Sequence, residues 1–137
     1  MTPISDAPLF GRESDTQQFA APARVNLIGE HTDYTGGLVM PMAIPFSTIA
    51  QLHPATDGRY SFSSELFSIA RSMSPDDRSS RAGNWSDYPV GVLRELQLRG
   101  VRIPPFALHL SGNVPLGAGL SSSASVEVVT AIALLSH

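Results

Sequence analysis

Lysine is missing altogether from these 137 residues, so all nine basic side chains are arginines. Its absence excludes a Walker phosphate loop, whose Gly-Lys-Ser/Thr core needs the lysine to reach the β- and γ-phosphates. Cysteine is also missing, which removes disulfides and thiolate metal sites and suits a reducing cytoplasm. No window approaches the ~18 consecutive apolar residues of a membrane span. Met1 to Gln18 has no basic stretch followed by an apolar run, so nothing there reads as a secretory leader. The arginines are scattered, and at a net charge of -3 the chain lacks the basic patch that binds nucleic acid. What is present is a 42% apolar fraction, enough for a core in one small domain. The expectation is a soluble cytoplasmic protein with no nucleic-acid or membrane partner.

The chain is organised around Pro115 to Ser125, which reads Pro-Leu-Gly-Ala-Gly-Leu-Ser-Ser-Ser-Ala-Ser. Before it, Phe106, Leu108 and Leu110 alternate with Ala107, His109 and Ser111, the period of two of a half-buried strand. After it, Val126, Val129, Ala133 and Leu134 recur at helical spacing, so the order is strand, glycine turn, helix. The first backbone N–H groups of a helix lack partners and sit at the positive end of its dipole, so an anion binds there without a basic side chain. Gly117 and Gly119 allow backbone conformations that a Cβ would block. Ser121, Ser122 and Ser123 supply hydroxyls that can cap the helix, donate to phosphate oxygens or ligate Mg²⁺. The dinucleotide pattern needs a third glycine where Ser122 stands, so a different nucleotide loop is implied.

A second block, Gly29-Glu30-His31-Thr32-Asp33-Tyr34-Thr35-Gly36-Gly37, is polar and lies between apolar stretches at Arg24 to Ile28 and Leu38 to Ile44. Carboxylates, an imidazole and hydroxyls this close together suit a sugar, whose vicinal hydroxyls need several acceptors at once. One histidine with two carboxylates is a thin ligand set for a metal, and a solvated polar turn is the plainer alternative. Around this block, Phe19 to Ala21 and Arg24 to Ile28 read as two short strands broken at Pro22. Ser47 to Leu52 and Arg59 to Ser63 read as a strand pair turning at Pro54 to Gly58, and Arg71 to Asn84 as an exposed loop. Trp85, Tyr88, Val92, Leu93 and Leu96 fall on one helical face, with Pro89 in the first turn and Gly100 as the stop. The last segment, Ala124 to His137, is still apolar helix without a stop signal, so the chain is expected to be the front part of something longer.

The two blocks together, Ala21 to Tyr34 and Pro115 to Ser125 with Glu127, closely resemble the galactokinases of the GHMP small-molecule kinase superfamily. Phe10-Gly11, Trp85, Tyr88 and Gly91 are also similar to that family. The resemblance implies an α+β fold, a mixed sheet with helices on one side, as an incomplete GHMP kinase N-terminal domain over residues 19–137 preceded by a polar lead-in over 1–18. It further implies phosphoryl transfer from ATP to the C1 hydroxyl of D-galactose, with Mg²⁺. Carried over by position, Glu30, His31, Thr32 and Asp33 would contact galactose and Arg24 would stabilise the transferring phosphoryl group. Gly117, Ala118, Gly119, Leu120, Ser121, Ser122 and Ser123 would wrap the ATP phosphates, Ser123 would reach Mg²⁺, and Trp85 and Tyr88 would border the adenine. Ala23 and Thr35 stand where the family commonly has Gly and Asn. The family's catalytic-base aspartate belongs to a C-terminal portion not contained here, so this chain is expected to be inactive alone and to leave apolar surface that the missing portion covers. Alternatives on the same fold are a non-catalytic galactose- and ATP-binding regulator, or a kinase for another small alcohol.

Overall fold

The structure is a computed structural model and describes residues 15–137. Most of the expected lead-in, and Phe10-Gly11 with it, lies outside the described residues. Strands β1 (Gln17–Ile28), β2 (Met40–Pro54), β3 (Tyr60–Ser64), β4 (Arg71–Met73) and β5 (Phe106–Gly112) form one sheet in the order β1-β2-β5-β3-β4. Helix α1 (Asp87–Leu98) connects β4 to β5, and α2 (Ser122–Ser136) follows β5. The sheet is mixed, because β3 pairs parallel with β5 while the other neighbours are antiparallel. The helices pack on one face, as the alternation in the strands requires. Ala50 and Leu52 of β2, Phe62 of β3 and Phe106 and Leu108 of β5 are buried there with Leu93 of α1 and Val129 and Ala133 of α2. The other face carries half-exposed Gln51, Ser63 and His109. The α+β expectation therefore holds.

Several boundaries differ from those read in the sequence. β1 starts at Gln17 and runs through Pro22 without a break in the strand. Leu38 to Ile44 and Ser47 to Leu52 likewise merge into the single long β2. Its prolines are accommodated because Pro41 sits where β2 pairs with β1 alone, and Pro45 falls in a ladder irregularity between Pro22↔Ser47 and Arg24↔Ala43. β2 and β3 are not partners: β5 comes between them, so the Pro54 to Gly58 turn joins strands that do not touch in the ladder. The Arg71 to Asn84 loop opens with edge strand β4, whose Met73 is buried. In α1 the buried residues are Pro89, Val90 and Leu93, while Tyr88 stays about half-exposed and Trp85 precedes the helix. Gly100 stops α1 as expected. At φ +83°, it lets its own N–H reach the Gln97 carbonyl and the Val101 N–H reach that of Leu96, a Schellman closure.

Candidate functional site

The ladder irregularity in β1 and β2 brings the two sequence blocks together. It releases the Arg24 N–H from β2, and that group donates instead to the Leu120 carbonyl at 3.3 Å. Arg24, near the start of the Ala21 to Tyr34 block, is thereby bonded to the glycine-serine turn of the Pro115 to Ser125 block. Among the described residues only two that are not glycine have positive φ, His31 at 60° and Ser121 at 58°, and each lies in one of these blocks. Such a conformation costs about 1–2 kcal/mol for an L-residue and is typically retained where a site depends on it.

The polar loop from Gly29 to Gly37 is held from within. The Thr32 hydroxyl donates to the Gly29 carbonyl at 2.7 Å, and the Gly37 N–H donates to the Thr32 carbonyl at 2.8 Å. Both glycines are required: a Cβ on Gly29, at φ +94°, would stand 2.4 Å from the Leu38 oxygen, and one on Gly37 2.7 Å from Thr32 Cβ. Thr32 thus closes the loop rather than presenting a free donor to a ligand, a role its place in the motif did not reveal. Glu30 and His31 are exposed, with the imidazole edge-on to Tyr34, and Asp33 opens a single 3₁₀ turn, Asp33–Thr35.

In the Pro115 to Ser125 block, no side-chain hydrogen bond caps α2 at Ser121, which is left-handed and gives its carbonyl to the Ser125 N–H. Of the uses foreseen for this serine cluster, capping by Ser121 is therefore not made. Gly117 and Gly119, at φ +71° and +70°, have nothing within 4 Å of where a Cβ would lie, so the space beside the turn is open. Beneath it is a cavity of about 220 Å³ whose lining includes Ser122, Ser123, Val126, Leu110, Thr48 and Trp85, with Tyr88 and Phe67 at the same wall. The Trp85 ring is fixed there by a bond from its indole N–H to the Ile69 carbonyl at 2.8 Å and by parallel stacking on Phe67 at 5.9 Å. Phe67 was invisible in the sequence, where nothing local ties it to the helix start.

Asp87 anchors the segment that carries Trp85. Its carboxylate accepts from the Ala82 and Gly83 N–H groups and pairs with Arg71 at 3.2 Å. The Ala82 bond, helped by Gly83 and Arg71 against partial burial, holds this carboxyl below its ordinary value. The support it gives is complete above the usual carboxylate range and fades as pH falls through the lowered value.

Comparison with known proteins accounts for both blocks. Residues 7–54 match the galactokinase galactose-binding signature, and residues 87–137 match the GHMP kinases N terminal domain. A mevalonate kinase of Methanococcus jannaschii shares the fold over 91% of this chain, with a TM-score of 0.76 at 19% identity. Residues 87–137 thus carry the N-terminal domain of the GHMP kinases, within the fold those kinases share. Within that class the chain's similarity is to the galactokinases. It is 44% identical to that of Bacillus subtilis over 96% of this chain and 42% identical to that of Halalkalibacterium halodurans over 98%. A Lactococcus lactis galactokinase complexed with galactose superposes on 90% of the chain with a TM-score of 0.81 at 35% identity. The chain spans about a third of the length of these relatives: 35%, 34% and 33% respectively. No helix among the described residues is long and apolar enough to cross a membrane.

Proposed function

We propose that this chain carries the galactose- and ATP-binding surfaces of a galactokinase, which transfers the terminal phosphoryl group of ATP to the C1 hydroxyl of D-galactose. The observation that carries the reading is the bond from the Arg24 N–H to the Leu120 carbonyl, because it sets the sugar signature against the phosphate turn. The galactose-bound relative supports the choice of sugar. Phosphoryl transfer asks little covalent chemistry of a protein; it asks for alignment and for positive potential where negative charge spreads. The turn from Gly117 to Ser123 meets the second demand with an uncapped helix N-terminus, open space beside both glycines and serine hydroxyls. Arg24 adds the cationic side chain that a chain without lysine must take from arginine.

The residues fit Mg²⁺-ATP. Ser123 would ligate the metal, the amides and hydroxyls of Gly117 to Ser123 would hold the phosphates, and the cavity bounded by Trp85 and Tyr88 would take the adenine. When bound, the metal supplies charge neutralisation on the phosphates. On the sugar side, Glu30, His31 and Asp33 accept from and orient the galactose hydroxyls, while Thr32, its proton committed to Gly29, shapes the loop. By family resemblance the catalytic-base aspartate lies outside these residues, so the chain binds both substrates without turning them over. By the same reading, the exposed apolar residues Leu27, Ile28, Leu38, Met40 and Met42 at the far end of β1 and β2 are covered by further parts of a whole kinase.

Trp85 is the sole tryptophan, and it lines the cavity. Titration with Mg²⁺-ATP is expected to change its fluorescence saturably, and adenosine to change it as well and to weaken the apparent affinity for Mg²⁺-ATP by competition. If no saturable change occurs and calorimetry also detects no heat of binding, the nucleotide assignment is wrong.

A further inference from the structure

Three hydroxyl-bearing residues connect the middle of the sheet to the start of α2. Thr48 Oγ1 lies 2.6 Å from Ser125 Oγ, and both side chains are buried. Ser125 Oγ in turn donates to the Ser122 carbonyl at 2.9 Å. Since Ser125 has one hydroxyl proton and gives it to Ser122, the Thr48 hydroxyl must be the donor in the first bond. The chain of donors runs Thr48 to Ser125 to Ser122, and it ends on the peptide unit that opens α2, beside the cavity lined by Thr48, Ser122 and Ser123.

Thr48 is itself immobilised. It pairs with Ala21 of β1 on one side and with Gly112 of β5 on the other. Its neighbour Ser47 donates its N–H to the Asn113 side chain at 3.0 Å and accepts from the Asn113 N–H at 3.2 Å. The anchor is thus a central strand, and the anchored element is the turn whose own residues are glycines, a left-handed serine and an uncapped helix end.

We propose that Thr48 is a positioning residue that, through Ser125, fixes the first turn of α2 so that its free amides and the Ser122 and Ser123 hydroxyls face the triphosphate. The inference rests on the nucleotide-binding reading above. It adds that preorganisation of the phosphate turn comes from a buried hydroxyl in β2, outside both sequence blocks, and not from a helix cap. Buried hydroxyls in series strengthen one another, and loss of the first leaves Ser125 without its donor.

The test uses Thr48→Val, close in shape but without the donor, and Thr48→Ser, which retains it. Affinities for Mg²⁺-ATP and for adenosine are read from Trp85 fluorescence, and amide hydrogen exchange over residues 121–126 is measured without ligand. Thr48→Val is expected to weaken Mg²⁺-ATP on the order of tenfold while adenosine changes less than about twofold, and to speed exchange in that turn on the order of tenfold. Thr48→Ser should restore most of both effects. A purely structural role would weaken the two ligands equally, and that result would overturn the proposal. Unchanged exchange in Thr48→Val would overturn it as well, whether or not nucleotide binds. Absence of ATP binding by the unmodified chain alongside faster exchange in the variant would remove the nucleotide reading and leave the hydroxyl relay standing as a brace of the turn, so the proposed role toward triphosphate would be withdrawn.

Discussion

Replacing Gly112 with alanine is expected to lower the melting midpoint by about 10–15 °C, a loss of roughly 3–5 kcal/mol for a chain of this size. Gly112 has φ +141° and ends β5 directly against β2. A Cβ there would stand 2.3 Å from the Ser47 oxygen and 3.0 Å from Thr48 Cα. Two costs add: backbone strain of about 1–2 kcal/mol and displacement of a packed central strand at about 2–3 kcal/mol. Gly117→Ala and Gly119→Ala provide the comparison. Both positions also have positive φ, but nothing lies within 4 Å of the added carbon. Strain alone, about 1–2 kcal/mol, should shift their melts by about 3–7 °C. Equal losses at all three positions would mean that the β2–β5 approach is not the constraint it is taken to be. Because Ser47 and Thr48 are the residues displaced, Gly112→Ala should also disturb the α2 turn, which differential scanning calorimetry and hydrogen exchange can follow together.

Reversing the charge at Arg24 is the second large effect. Arg24 is exposed, and its backbone N–H is bonded to the Leu120 carbonyl of the turn, so the charge change is made at a residue adjoining the proposed phosphate site. Arg24→Glu removes one charge-assisted contact and introduces repulsion, together on the order of a hundredfold in Mg²⁺-ATP affinity at low salt. The effect should shrink as ionic strength rises. Arg102→Glu makes the same change in net charge near the opposite end of β5, before Phe106, and should leave affinity within about twofold. If both variants weaken binding alike, the field of the whole chain matters and Arg24 has no special place. The melt of Arg24→Glu should stay near that of the unmodified chain, since no side-chain bond of Arg24 is lost among the described residues.

The core of the account was legible because the residues responsible are local. Phe106, Leu108 and Leu110 alternate and all three are buried; the glycine turn and the α2 periodicity follow them directly, and the structure reproduces that order. Strand partners were not legible. The parallel pairing of β3 with β5 depends on α1 crossing between them, and no short-range pattern distinguishes it from a β2–β3 hairpin. Pro22 reads as a break because proline cannot donate to a ladder, yet Pro22 lies within β1 and Pro41 and Pro45 within β2. They sit where the ladder is irregular or one-sided, and that irregularity is what frees the Arg24 N–H. In the site, the motifs located both loops but not the bonds that shape them. Thr32 turns inward to Gly29, and Thr48 is linked to Ser125 across most of the chain, a contact that an ordinary threonine in a strand gives no sign of.

The claim on which the rest depends is that one site joins the acidic loop after β1 to the glycine-serine turn before α2. Backbone amide NMR of the chain, titrated with galactose and separately with Mg²⁺ and a non-hydrolysable ATP analogue, tests it most directly. The account predicts that the sugar shifts amides from Gly29 to Gly37, the nucleotide shifts those from Gly117 to Ser123 and the Trp85 indole, and the Arg24 amide responds to both. Shifts from the nucleotide confined to surfaces away from that turn, or an Arg24 amide indifferent to both ligands, would contradict it.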